Sequence, residues 1–144
     1  MKGIFAALLA LIIGFTGFAT EGGVIEADED EFIVQVWLDT DDAVCVLSHA
    51  NMLDGDLVGG GSACNADMRT PLSGYVYENF RAEDFPEGAD LNGFSISFSV
   101  SDRFDDGSST PVAGEIAIPA RWGEVYSVII EGDSAGGYTA YIGE

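Results

Sequence analysis

The residues best suited to chemistry lie in one stretch, Ala43–Cys64, which holds the only histidine and both cysteines of this 144-residue chain. Imidazole and thiol groups serve as acid–base catalysts, nucleophiles and metal ligands. A Ser-His-Asp triad would have to use His49, and the chain has no Gly-x-Ser-x-Gly elbow. No lysine follows Gly59-Gly60-Gly61, as a phosphate-binding loop would require. We therefore predict a protein that is not an enzyme.

The spacing Cys45-x₃-His49-x₂-Met52 resembles the copper loop of the cupredoxins, which also have an all-β sandwich fold. The resemblance covers eight residues and implies thiolate, imidazole and thioether ligands. The cupredoxin loop lies near the C-terminus and its copper takes two histidines, whereas this chain has one. We therefore expect no specific copper binding, and Ca²⁺ is the only cofactor that we consider further.

The first 19 residues have the three parts of a secretory signal peptide. Met1-Lys2-Gly3 carries a positive charge, Ile4–Phe15 is apolar apart from one glycine, and Gly17 and Ala19 are small residues before a cleavage point. We predict a signal peptide over 1–19 and a secreted, periplasmic or cell-surface protein with no stable membrane insertion after cleavage. A retained membrane anchor is the alternative interpretation.

Both cysteines would then reach an oxidising compartment, where pairs of cysteines generally form disulfides. A Cys45–Cys64 bridge would close a loop of about 20 residues and stabilise the fold by about 3 kcal/mol in the chain-entropy model. We predict this bridge.

The chain is strongly acidic, with a formal net charge of −20. Such a charge repels phosphate backbones, so nucleic acid is excluded as a partner class, and it attracts cations. If the fold brought two acidic turns to one end, their carboxylates could bind Ca²⁺. The candidate ligands are Asp39, Asp41, Asp42, Asp105 and Asp106. Solvated turn acids are the alternative interpretation.

Alternation of apolar and polar residues predicts β-strands throughout the chain. The clearest case is Phe94–Val100, in which every second residue is serine. We expect the first two strands to form a hairpin and the last four a meander. The seven predicted strands are Phe32–Leu38, Ala43–Ser48, Ser73–Phe80, Phe94–Val100, Val112–Ile118, Glu124–Glu131 and Tyr138–Ile142.

A long connection, residues 49–72, separates the second and third predicted strands. Its triple glycine and Pro71 predict irregular structure, with a short helix near Ser48–Leu53 as an option. Residues 20–31 are acidic and predict a flexible arm. Residues 32–144 should form one all-β domain, a two-sheet sandwich with an Ig-like arrangement of about seven strands, preceded by the hydrophobic signal segment. A small β-barrel is the second choice.

Aromatic residues supply the remaining candidates, because exposed rings on a sheet stack on sugars or anchor protein partners. The last predicted strand lacks proline and internal charge, so we expect a sheet edge that is open to pairing. Together with the preceding turn it gives the predicted partner-binding residues Arg121, Trp122, Tyr138 and Tyr141. The sequence predicts an exported binding or assembly module that contacts a protein partner or a second copy. A secreted glycan- or calcium-binding domain is the alternative.

Overall fold

The computed structural model describes residues 25–104 and 109–143. The predicted signal peptide, the start of the acidic arm, and Asp105 and Asp106 lie outside the described residues. The predicted all-β class is confirmed, since the described residues form nine strands and two short 3₁₀-helices, Ala82–Asp84 and Leu91–Gly93. The strands are β1 (Glu31–Thr40), β2 (Val46–Leu53), β3 (Asp56–Ala63), β4 (Tyr75–Arg81), β5 (Phe94–Ser101), β6 (Thr110–Ala113), β7 (Ile116–Ala117), β8 (Val125–Asp133) and β9 (Gly137–Ile142).

The strands form one continuous sheet in the order β3-β2-β5-β6-β9-β8-β1-β4, with β7 paired to β5. This sheet is nearly closed and barrel-like, which corresponds to the small-barrel alternative. Strands β3 and β4 are its two ends. Most pairings are antiparallel, but β1–β8 and β6–β9 are parallel. Within these residues, no helix is both long and apolar enough to cross a membrane.

The core forms because alternate residues of each strand point inward. In β5, Phe94, Ile96, Phe98 and Val100 are buried while the intervening serines are partly exposed, as the alternation predicted. Strand β1 contributes Phe32, whose ring lies 4.9 Å from that of Phe80 and 5.2 Å from that of Phe94. Burial of side chains of this size stabilises the fold by about 2–3 kcal/mol each.

The predicted hairpin between the first two strands is wrong. Strand β1 pairs with β4 and β8, whereas β2 pairs with β3 and β5. The segment between β1 and β2 leads away from β1 to the end of β5. There Val44 is buried, and the backbone N–H of Cys45 donates to the carbonyl of Ser101. Burial of Val44 thus overrides the short spacing that predicted a hairpin.

The first part of the predicted irregular stretch is a regular hairpin of β2 and β3, and no helix forms at Ser48–Leu53. The turn uses Asp54 (φ 51°) and Gly55 (φ 85°), the left-handed pair that a two-residue hairpin loop needs. The glycine run lies within β3, where Gly60 faces Ala50. A Cβ on Gly60 would lie 2.6 Å from the His49 carbonyl oxygen, so glycine there permits a close backbone approach.

The predicted meander of the last four strands is also wrong. The strand predicted over Val112–Ile118 is divided into β6 and β7, which both pair with β5. The terminal strand β9 lies between β6 and β8, so it is not a sheet edge. Short β6 pairs with β5 on one side and with β9 on the other. It thereby joins the strands β3, β2 and β5 to the strands β9, β8, β1 and β4.

Candidate binding surface

The outer face of β4, β1, β8 and β9 carries a line of large exposed side chains. Trp37 pairs with Tyr75 on one side and with Ile129 on the other, and Ile129 pairs with Tyr141. Residues paired in register lie side by side on one face of a sheet. Tyr75, Trp37 and Tyr141 are each 38–40% exposed. We call Tyr75, Trp37, Ile129 and Tyr141 the outer aromatic row.

Contacts within the outer aromatic row order its rings. The Trp37 and Tyr75 ring centroids are 4.9 Å apart, and Tyr77 stacks on Tyr75 at 6.1 Å. At the other end, the Tyr141 hydroxyl donates to Oε2 of Glu131 at 3.1 Å. Partial burial, followed by interaction with Glu131, raises the pKa of Tyr141, so its hydroxyl keeps its proton at neutral pH.

A second row beside the first is polar and uncharged. It consists of Tyr77, Gln35 and Ser127, which are paired in register across β4, β1 and β8. Nε2 of Gln35 donates to Oγ of Ser127 at 2.5 Å. Burial and then the proximity of Tyr75 raise the pKa of Tyr77, so this phenol is also neutral. The surface therefore combines exposed rings with neutral hydrogen-bonding groups.

The four residues predicted to bind a partner do not lie together. Only Tyr141 belongs to the outer aromatic row, while Tyr138 points inward and is buried. Arg121 and Trp122 precede β8, at the opposite end of that strand from the position that pairs with Tyr138. The Trp122 ring packs 5.7 Å from Phe32 and 6.2 Å from Phe85, so it covers the end of the core.

His49, the candidate for chemistry, is inside the barrel. Its Nε2 lies 3.2 Å from Oε2 of Glu78 on β4, and both side chains are only 5% exposed. The other ring nitrogen, Nδ1, lies 2.8 Å from Oδ1 of Asn51. Burial alone would lower the pKa of His49, but interaction with Glu78, and then with Asn51, outweighs burial and raises it. Met52 faces away from His49 across β2, so the residues that resemble a copper loop do not converge.

The predicted Cys45–Cys64 disulfide is absent, since both thiols are free. Cys45 directly precedes β2 and is buried, whereas Cys64 directly follows β3 and is partly exposed. Sγ of Cys45 instead lies 3.5 Å from the carbonyl oxygen of Arg69.

Hydrogen bonds hold the loop between β3 and β4 where a disulfide was expected. Asp67 accepts from the backbone N–H groups of Arg69 and Thr70 and from the Thr70 hydroxyl. These bonds, chiefly those from Thr70, lower the pKa of Asp67 to about 2. Nδ2 of Asn65 donates to the carbonyls of Thr70 and Pro71.

The predicted calcium residues are only partly described. Asp42 and Asp102 line a cavity of about 420 Å³ beside Tyr138 and Ser134 at the end of the barrel where β1 and β8 finish. Asp42 accepts from the hydroxyl and the backbone N–H of Ser134, and these bonds lower its pKa. Residues 25–104 and 109–143 contain no group of three or more metal-binding side chains. Asp39 and Asp41 are exposed, and Asp105 and Asp106 lie outside the described residues.

Trp37, Tyr75 and Tyr77 are visible in the sequence as aromatic residues of predicted strands, but nothing in the sequence groups them. Alternation in β1 and β4 already placed them opposite the buried Val36 and Val76. The missing information was the pairing of β1 with β4 and β8, which together with the β8–β9 pairing makes the outer aromatic row continuous.

No protein-family model matches this chain, and no curated protein matches it either. Two solved structures show remote similarity. The membrane-binding domain of pneumolysin is 9% identical with a TM-score of 0.38, over 79% of this chain and 96% of that one. A proposed cell adhesion protein from Bacteroides uniformis is 11% identical with a TM-score of 0.35, over 80% of this chain and 50% of that one. Similarity this remote carries no information about what the chain binds.

Proposed function

We propose that this protein is an exported, non-enzymatic binding module that contacts its ligand through the outer aromatic row. The observation that carries the proposal is the register of four strands, which places Tyr75, Trp37, Ile129 and Tyr141 side by side on one exposed face. Exposed apolar groups that form a contiguous patch, rather than scattered single residues, are typical of interaction sites. Trp and Tyr are also the residue types most enriched in the centres of such sites.

The placement of His49 supports a binding role over a catalytic one. A general base or nucleophile-activating group must reach the atom on which it acts. The His49 side chain is 5% exposed and is engaged by Glu78 inside the barrel. A substrate would have to open the core to reach it.

The acidic charge favours binding over assembly. Two copies would each bring a formal net charge of −20, which opposes close approach of their surfaces. An uncharged or basic ligand meets no such repulsion. We therefore prefer a binding module that is monomeric at neutral pH to one that polymerises. The apolar leader at Ile4–Phe15 supports export.

The test compares ligand capture by the wild type and two single variants. The whole chain is produced with its own leader, immobilised, and exposed to extracellular polymers and secreted proteins of the producing organism. Trp37→Ala removes the centre of the outer aromatic row, and Leu57→Ala removes an aliphatic side chain that is 71% exposed on β3. We expect capture by the wild type and Leu57→Ala, and at least a tenfold loss for Trp37→Ala. Equal capture by all three proteins would contradict the proposed surface.

A further inference from the structure

We propose that the outer aromatic row is a carbohydrate-binding platform and that its ligand is an uncharged polysaccharide. This inference rests on the proposed function, because it names the ligand class of the same surface. It follows from the shape of the surface, from its chemistry and from the charge of the whole chain.

The shape of the row suits an extended polymer. Its four residues lie on four adjacent strands, and neighbouring strands are about 4.8 Å apart, so the row spans about 14 Å across the sheet. Tyr75, Trp37 and Tyr141 are each 38–40% exposed on this face, and the cavity beside Asp42 and Tyr138 lies at the end of the barrel instead. A ligand would therefore lie along the surface and cross the strands.

The chemistry of the two rows matches the two kinds of surface on a pyranose. The C–H face of a sugar ring is apolar and packs on an aromatic ring through hydrophobic and dispersion contacts. Trp37 and Tyr75, with ring centroids 4.9 Å apart, supply such rings. The hydroxyl groups at the edge of a sugar need donors and acceptors, and the side chains of Gln35 and Ser127 in the adjacent row are of that kind.

The negative charge of the chain favours an uncharged ligand over an anionic one. Asp39 and Glu131 are paired in register on the side of the outer aromatic row that is opposite the polar row. The Glu131 carboxylate already accepts a hydrogen bond from the Tyr141 hydroxyl. Neither row contains an arginine or lysine. Uronic acids, sulfated sugars, acidic lipids and acidic protein surfaces would meet these carboxylates and the overall negative charge. A neutral sugar would offer its hydroxyls to them as hydrogen-bond donors.

The hot spots of protein–protein interfaces differ in composition from these two rows. They are rich in arginine as well as Trp and Tyr, and the fully buried centre of an interface is more apolar than the rest of the surface. Here the four arginines beyond the leader, Arg69, Arg81, Arg103 and Arg121, occupy loops or the last residue of β4. The composition of the two rows therefore favours a sugar over a protein partner.

The experiment is native affinity electrophoresis of the whole exported chain. Gels contain a neutral polysaccharide (hydroxyethyl cellulose, mixed-linkage β-glucan or galactomannan) or an anionic one (alginate or polygalacturonate). We expect retardation by at least one neutral polymer and none by the anionic ones. Trp37→Ala should weaken binding by about tenfold or more, and Tyr141→Ala should weaken it to a smaller extent. Trp37→Phe, which keeps a ring, should restore most of the retardation.

A surface variant and a stability measurement separate loss of binding from loss of fold. Leu57→Ala changes a side chain on β3 that is 71% exposed and lies outside both rows, and it should be retarded like the wild type. Every variant is checked by its thermal unfolding midpoint. Absence of retardation in all neutral polymers, retardation in the anionic ones, or unchanged retardation of a folded Trp37→Ala would each overturn the inference. If Trp37-dependent capture of a secreted protein persisted without polysaccharide binding, the proposed function would stand and the carbohydrate assignment would fall.

Discussion

At the scale of single residues, the buried His49–Glu78 pair is the least expected feature of the molecule. Two ionisable groups are placed in the core, where they connect β2 to β4 across the barrel. Such pairs are costly to desolvate, so removal of one partner leaves an uncompensated buried group. We therefore expect the pair to stabilise the packing of β2 against β4 most at pH values at which His49 is protonated.

Replacement of Glu78 should destabilise the protein and flatten its pH dependence. The folded pKa of His49 is above its ordinary value of 6.5, so the protonated form is the one that folding favours. Its contribution is fully present below pH 6.5 and is lost as the pH rises through the folded pKa. We expect Glu78→Gln to lower the free energy of unfolding by about 3 kcal/mol at pH 6 and by less at pH 9. Urea denaturation at several pH values measures both effects.

The matched control is Glu83→Gln, which changes an exposed carboxylate in the 3₁₀-helix that follows β4. It should leave the pH profile unchanged. A pH profile of Glu78→Gln parallel to that of the wild type would show that His49 does not titrate through this pair.

The two thiols should react very differently in the folded protein. Cys45 is buried, whereas Cys64 is partly exposed. Burial and then the Asp67 carboxylate raise the pKa of Cys64, so its labelling at neutral pH should be slower than that of a free cysteine. We expect iodoacetamide to modify one thiol in the native state and a second only after unfolding, as read by intact mass. If neither thiol is labelled after denaturation without a reductant, a disulfide is present.

At the scale of elements, β3 shows why composition alone gave the wrong structure. Three consecutive glycines disfavour a strand by intrinsic propensity. Pairing of Ala50 with Gly60 and of His49 with Gly61 nevertheless completes the backbone hydrogen bonds of β2. The tertiary requirement for a close approach overrode the local preference, and no local pattern could have revealed it.

Substitutions at two adjacent glycines of β3 should differ strongly in how much they destabilise the fold. A Cβ at Gly60 would meet the His49 carbonyl oxygen at 2.6 Å, and backbone atoms cannot easily move away. A Cβ at Gly59 would meet only Nδ2 of Asn51, at 3.5 Å, which is an ordinary contact. We expect Gly60→Ala to cost about 1–3 kcal/mol in the free energy of unfolding, and Gly59→Ala to cost much less. Equal effects in urea denaturation would contradict the close approach in β3.

Single strands were predictable where burial alternates cleanly. Strand β5 matches its prediction because Phe94 and Val100 begin and end a strict alternation with serine. The turn before β8 was also predicted, and Gly123 adopts a positive φ there. Strand β2 was only partly predicted, because half of its inward side chains are polar. His49 and Asn51 face the core there, and polar residues at core positions hide the alternation.

At the scale of the whole molecule, charge should govern how stability responds to salt. A formal net charge of −20 repels itself more strongly in the compact state than in the unfolded chain. We expect the thermal unfolding midpoint to rise as NaCl is increased from about 10 mM to about 500 mM, because the screening length falls severalfold. The same ionic strength of CaCl₂ should give the same rise. A larger rise with CaCl₂ would indicate a specific calcium site, and a flat response to NaCl would contradict self-repulsion.

Strand pairing was the part of the architecture that the sequence could not reveal. Alternation in the sequence indicated which residues of β1 and of β4 share a face. It gave no indication that β1 lies between β4 and β8. Parallel pairs such as β1–β8 join residues far apart in the chain and leave no local turn signal. The outer aromatic row depends on these pairings, so it could be identified only from the structure.

The parallel pairing of β1 with β8 also determines when this chain can fold. Ile33 pairs with Val125, so the first strand cannot complete its hydrogen bonds until nearly the whole domain has emerged. Contacts this distant in sequence slow folding, because the connecting chain must lose its freedom before the contacts form. A nascent chain of this design stays incompletely paired until β8 has been synthesised. This delay would suit the export proposed above, because a chain that has not yet folded can pass through a narrow channel.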